Sequence, residues 1–178
     1  RPGIACLPGA RALVVRKTPL KKRVTRSIKP RSNVDPTRVA LAALERIRTV
    51  LVKSGYQDRL GDPLSMKELA AQAHQLGTEL PPSYVAAMRV SSKIGDPEVF
   101  LHSQQMAEEA KKISDFGGEE AKRYAPFCRS SDRFICFDTG GGKRLVPSLR
   151  HQGELPIVEW EDGTANPVAA HFGEWLDL

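Results

Sequence analysis

The stretch from Tyr124 to Leu178 constrains this chain most. It reads Y-A-P-F-C-R-S-S-D-R-F-I-C-F-D, then L-V-P, then L-P-I-V-E-W-E-D, then A-A-H-F-G-E-W-L-D-L. Apolar runs of strand length alternate with turn residues and lead into one amphipathic segment. Tyr124 to Cys128 and Arg133 to Phe137 are expected to form a β-hairpin across Arg129 to Asp132. Further strands are expected at Arg144 to Val146 and Ile157 to Trp160, after a flexible turn at Gly140-Gly141-Gly142. Glu161-Asp162-Gly163 reads as a turn. Pro167 reads as the start of a final helix, with Val168, Phe172, Trp175 and Leu176 on one face. The pattern is a small sheet closed by a C-terminal helix.

Helical periodicity dominates what comes before. Asp35-Pro36 supplies an N-cap and a first-turn proline. Ala40, Ala43, Leu44, Ile47, Val50 and Leu51 then follow at helical spacing until Ser54-Gly55. A second helix is announced by a Ser65/Glu68 capping box, a Leu64/Leu69 staple and Gly77 past its end. The prolines of Glu79-Leu80-Pro81-Pro82-Ser83-Tyr84 can begin a helix but not continue one, so a third is expected from Pro82 to about Val90. Val99-Phe100-Leu101 is expected as a short strand. A fourth helix, capped by Ser103, is expected to reach about Ile113 before Phe116-Gly117-Gly118 breaks it.

Charge is divided unevenly along the chain. Residues 1–38 carry eleven Lys or Arg against a single acid, Asp35, a net of +10; residues 39–178 hold 16 bases and 20 acids, a net of −4. Residues 151–178 contain six acids and no Lys or Arg. The overall +6 therefore belongs to the front of the chain, and residues 1–34 read as a basic, disordered tail ahead of a mildly acidic domain over 35–178. That tail could hold a polyanion such as nucleic acid, although basic tails also do so without being built for it. No window of 18 apolar residues exists to insert into a membrane. Cys6, Cys128 and Cys136 form no C-x-x-C pair. In the hairpin register inferred from the sequence, Cys128 lies near Arg133 and Cys136 near Ala125, so all three cysteines are expected to be reduced, in a cytoplasmic protein.

Motifs that could carry catalysis are incomplete. Asp138-Thr139-Gly140 after an apolar strand looks like the end of an aspartic-protease strand, but that chemistry needs two carboxylates and the chain has one such triplet. The plainer reading is an Asp closing a strand before a glycine turn. Gly140-Gly141-Gly142-Lys143 lacks the spacing and the following Ser or Thr of a phosphate-binding loop. His74, His102, His151 and His171 are scattered, so neither a metal site nor a cofactor is expected, and no catalytic set assembles in sequence. Glu159, Glu161 and Asp162 around Trp160 are different in kind. They suit an aromatic anchor ringed by carboxylates for a basic protein partner. The competing reading is a buried Trp160 with the acids on the solvated side of an edge strand.

From about Ala40 to Leu178 the chain resembles the SUKH superfamily, which includes a yeast regulator of cell-wall synthesis and many bacterial immunity proteins. The resemblance rests on the ordered pieces Glu79 to Tyr84, Phe100-Leu101 before the Ser103 helix, Tyr124 to Phe127 with Phe134 to Asp138, Pro156 to Trp160, and Phe172-Gly173-Glu174-Trp175-Leu176. The chain departs from it at Ser91-Ser92-Lys93, where the family usually has an Asn-Gly-Gly-like turn, and in its basic front segment. The resemblance implies an α+β fold, with N-terminal helices packed on a twisted, largely antiparallel sheet closed by a C-terminal helix. It also implies a binding protein rather than an enzyme, one that occludes a cognate toxin, often a nuclease and so basic, of a polymorphic toxin system. Asp138, Glu159, Glu161 and Asp162 are then the expected contact residues, with Trp160 as anchor. A regulatory scaffold of the same fold, or a nucleic-acid-associated protein acting through the tail, are the other readings.

Overall fold

The computed structural model describes residues 35–94, 100–101, 103–130, 133–140 and 152–178. The tail over 1–34, the strand expected at Arg144 to Val146, and Gly141 and Gly142 of the expected Gly140-Gly141-Gly142 turn lie outside the described residues. Four main helices come first: α1 (Pro36–Lys53), α2 (Met66–Leu76), α3 (Pro82–Met88) and α4 (Ser103–Gly117). Strands β1 (Tyr124–Ser130), β2 (Arg133–Asp138), β3 (Ile157–Glu161) and β4 (Thr164–Ala169) follow, and α5 (Phe172–Leu176) ends the chain. Short 3₁₀ turns span Gln57–Arg59 and Glu119–Arg123. The strands pair in the order β1-β2-β3-β4, each antiparallel to the next. The fold is thus α+β, with helices on an antiparallel sheet.

Local signals place the first helices. The Asp35 carboxylate accepts from the Thr37 amide at 2.9 Å, satisfying one of the donors that a helix start leaves without an intrahelical partner. Ser65 and Glu68 form the reciprocal capping box, and Gly77 ends α2 at φ 64°. Helix α4 runs one turn past the expected Ile113, to Gly117. Of the strand expected over Val99 to Leu101, Val99 lies outside the described residues, and Phe100 makes an isolated bridge to Cys128.

The end of the chain differs from its sequence reading. Pro167 does not open a helix; it lies inside β4, opposite Val158. The cause is the turn before it. Asp162 (φ 47°) and Gly163 (φ 78°) are both left-handed, the combination that folds two strands into a tight hairpin. β4 is the last strand of the order, and an edge strand tolerates a residue without an N–H. Only Phe172–Leu176 remains helical. The register of the first hairpin is also corrected: Cys128 pairs with Ile135 and Cys136 with Pro126, because a bulge falls between Pro126 and Cys128. The two thiols are buried and free, as expected.

The main core lies between the helices and one face of the sheet. Tyr84, Phe127, Phe137 and Phe172 are fully enclosed, with Ala40, Leu44, Leu69 and Met88 around them. Phe127 stacks on Phe137 at 4.3 Å between centroids, and Tyr84 meets Phe172 edge-on at 5.1 Å. Gly173 is where α5 touches α1 most closely. A Cβ there would stand 2.4 Å from the Pro36 carbonyl oxygen and 2.9 Å from the Ala40 nitrogen, so only glycine fits. Strand alternation sends Cys136, Val158 and Trp160 to the other face. There Ile113 of α4 and Ala121 cover them in a second, smaller cluster.

Candidate protein-binding surface

The β3–β4 hairpin carries four of the five residues singled out in the sequence, and the strand period divides them. Trp160 lies opposite Phe134 and Ala165 and belongs to the second cluster. Glu159 and Glu161 flank it in sequence and so point to the other face. Both reach Arg133 of β2: its Nη1 donates to Glu159 at 3.0 Å, and its Nε lies 3.3 Å from Glu161. The acids therefore form a partly neutralised patch back to back with the indole rather than a ring around it. Asp162 sits in the turn between them.

Asp138 does not belong to this surface, and its expected role as a contact residue is corrected. Its side chain is 0% exposed. Both of its oxygens accept from one guanidinium, Arg123 Nε at 2.7 Å and Nη2 at 2.8 Å. The same pairing raises the Arg123 pKa further above its already high ordinary value. The Arg123 carbonyl also accepts from the Thr139 amide and hydroxyl, at 2.8 Å each. Asp138 thus fastens the end of β2 to the 3₁₀ turn before β1, with its carboxylate closed off from the surface.

Trp160 is 6% exposed, and its ring closes one wall of a groove of about 250 Å³. Ile113 and Phe116 of α4, Phe134 of β2 and Asp162 of the hairpin turn line the rest, with Glu109, Lys112 and Arg129 at the polar end. Phe116 is 84% exposed, a large apolar ring left in water at the rim. Sequence reasoning missed Glu109, Ile113 and Phe116. The available signal was Phe116 itself, an aromatic beside the Gly117-Gly118 break that no helix face required.

Other buried polar groups are structural. The Glu154 carboxylate accepts from the Ser83 amide at 2.9 Å and hydroxyl at 2.6 Å, holding the start of α3. Burial pushes its pKa up, while the Ser83 bonds oppose that. Burial pushes the Cys128 thiol up to about 12, which leaves it inert at neutral pH. Among the described residues no three His, Cys, Asp or Glu gather as metal ligands, and no helix is long and apolar enough to cross a membrane.

These features define a class: an α+β domain whose sheet has one face sealed by helices and the other opened by a groove. Within that class the chain belongs to the SMI1 / KNR4 family (SUKH-1), whose family model matches residues 63–178. The match begins at Pro63, so α1 lies outside it although Ala40 and Leu44 sit in the main core. No curated protein matches the chain.

Proposed function

We propose that this protein is a cytoplasmic immunity protein that neutralises a cognate toxin by binding and occluding it stoichiometrically. The observation that carries the reading is membership in SUKH-1, which is consistent with the immunity role that the resemblance implies. The charge of the chain supports it. Residues 39–178 carry a net of −4, and their last 28 residues contain no Lys or Arg. Nuclease toxins have basic active sites, and an acidic binder both steers toward such a site and covers it. Glu159, Glu161 and Asp162 would supply the steering; the Trp160 groove lies on the other face of the hairpin, reached only past Asp162.

The test begins with the full chain as bait in a lysate of the source cells. The reading expects one stoichiometric, basic partner whose expression alone arrests growth and whose co-expression with this chain restores it. A partner without toxicity would instead establish a regulatory scaffold. The contact surface is tested next with a Glu161→Lys, Asp162→Asn pair. Asn is chosen because position 162 has a left-handed φ of 47°, which Asn tolerates. Association with the partner should slow about tenfold at low salt and much less at high salt. An unchanged association rate would remove the hairpin from the interface.

A further inference from the structure

The outward side of α1 carries a stripe with a symmetry of its own. Leu41, Glu45, Arg48 and Val52 are all exposed and follow one another at steps of four, three and four residues. That spacing keeps them on one stripe, away from the buried Pro36, Ala40, Ala43 and Leu44. The steps read the same in both directions about a midpoint between Arg46 and Ile47. We propose that two copies of this chain pair along this stripe, α1 against α1, antiparallel and related by a two-fold axis. The inference goes beyond the reading above and does not rest on it. Helix α1 carries none of the hairpin acids and lies outside the residues matched by the family.

Charge complementarity points to a second copy as the occupant. A two-fold contact has to be complementary to itself, because each residue meets its counterpart twice. In an antiparallel pair centred on the midpoint, Glu45 meets the partner copy's Arg48, and Leu41 meets the partner copy's Val52. An acid and a base on opposite sides of the midpoint satisfy that condition; two like charges would not. Both charges are available for it. Arg46, on the neighbouring side of the helix, pairs with Asp177. Among the described residues neither Glu45 nor Arg48 makes an ion pair, although they stand three apart on one helix.

The apolar groups set the strength. Leu41 is 38% exposed and Val52 48%. Val90, just past α3 and also exposed, borders with Arg48 a cavity of about 340 Å³ that Leu44, Leu60 and Pro63 help to line. A helix laid along the stripe covers these groups together. Helix α1 has 18 residues and so is about 27 Å long. One such helix pair buries less than a standard interface, which makes the dimer weak and reversible, with a dissociation constant of about 10–300 μM.

The test is sedimentation of the full chain from about 5 to 500 μM, a range that brackets this constant. Reductant is present, so that Cys6 forms no bridge between copies. The expected result is a reversible monomer–dimer equilibrium. Glu45→Arg and Arg48→Glu each set like charges against one another at both ends of the contact, and each should weaken association about tenfold or more. Mixed in equal amounts, the two variants should recover it as a heterodimer, since every charge then meets its opposite. The double reversal E45R/R48E should recover it within one chain. Both positions are exposed on a helix, so the variants keep the fold, and recovery on mixing demonstrates it. The proposal is overturned if the full chain stays monomeric throughout the range, if the single reversals leave association unchanged, or if the mixture associates no better than its components.

Discussion

The two faces of the sheet are built from similar residues to different ends. On the helix-covered face, Tyr84, Phe127, Phe137 and Phe172 interlock with almost no exposure, and Gly173 lets α5 close against α1. On the other face the cluster is smaller, and it ends in a groove with an exposed Phe116 and a half-paired Glu109. A sealed aromatic layer supplies stability and leaves no ring for a partner to reach. An open one gives up some burial and keeps a surface that a partner can complete. The difference teaches where to look for function: among groups that the fold places but does not satisfy.

The sharpest way to break this comparison is one substitution made on each face. Phe127→Ala should cost about 3–5 kcal/mol in urea unfolding, because the ring is fully buried among five other rings. Phe116→Ala should change stability by less than about 0.5 kcal/mol. Equal losses would mean that the groove face is sealed too. Next in size are two fastenings. Gly173→Ala should cost about 1–3 kcal/mol, since the new Cβ meets α1 backbone that cannot swing away. Asp138→Asn should cost about 1–3 kcal/mol, less than a fully enclosed ion pair, because Arg123 keeps about a third of its side chain in water. A loss below about 0.5 kcal/mol at Asp138 would return that residue to the list of surface acids.

How much of this was legible depends on how local the cause was. The caps at Asp35, Ser65 and Gly77 act within four residues, and the sequence displays them directly. The last helix is not legible because Pro167 fits a helix start and an edge strand equally well, and the Asp162-Gly163 turn decides between them only through its pairing with β3. Glu159-Trp160-Glu161 looked like one cluster along the chain, while its period of two separates the indole from the acids. Asp138 looked free because its partner, Arg123, lies 15 residues earlier on a turn the sequence does not mark. Glu109 and Phe116 reach the hairpin only through the packing of α4 on the sheet, which no local pattern encodes.

Two buried groups give the comparison a pH axis, with opposite signs. His171 caps α5: its Nδ1 accepts from the Glu174 amide at 3.1 Å, which requires the neutral ring. Burial lowers its pKa below the ordinary 6.5, with Glu174 opposing. Its contribution is therefore present above about pH 6.5 and is lost as pH falls through the lower folded value. Glu154 is raised above the ordinary 4.5, mainly by burial. Its contribution is complete below about pH 4.5 and is lost as pH rises through the folded value. The stability of the wild type relative to His171→Asn should therefore grow as pH rises toward about 6.5, whereas relative to Glu154→Gln it should shrink as pH rises above about 4.5. Differences that stay flat with pH would show that neither group titrates differently on folding.

The smallest effect on stability belongs to the acidic patch, and it bears most directly on what that patch is for. Arg133 is half exposed and contacts Glu159 and Glu161, which are themselves partly in water. Such pairs contribute less than about 1 kcal/mol, so Arg133→Gln should leave unfolding nearly unchanged. It should nevertheless uncover two carboxylates beside Asp162. If the patch steers a basic partner, removing the cation that contacts both glutamates quickens association at low salt while the Glu161→Lys, Asp162→Asn pair slows it. Opposite shifts in rate from substitutions that barely move stability would separate a surface kept for recognition from one kept for folding. Shifts of the same sign, or none, would leave these acids as the solvated side of a strand and move the search to the groove on the other face.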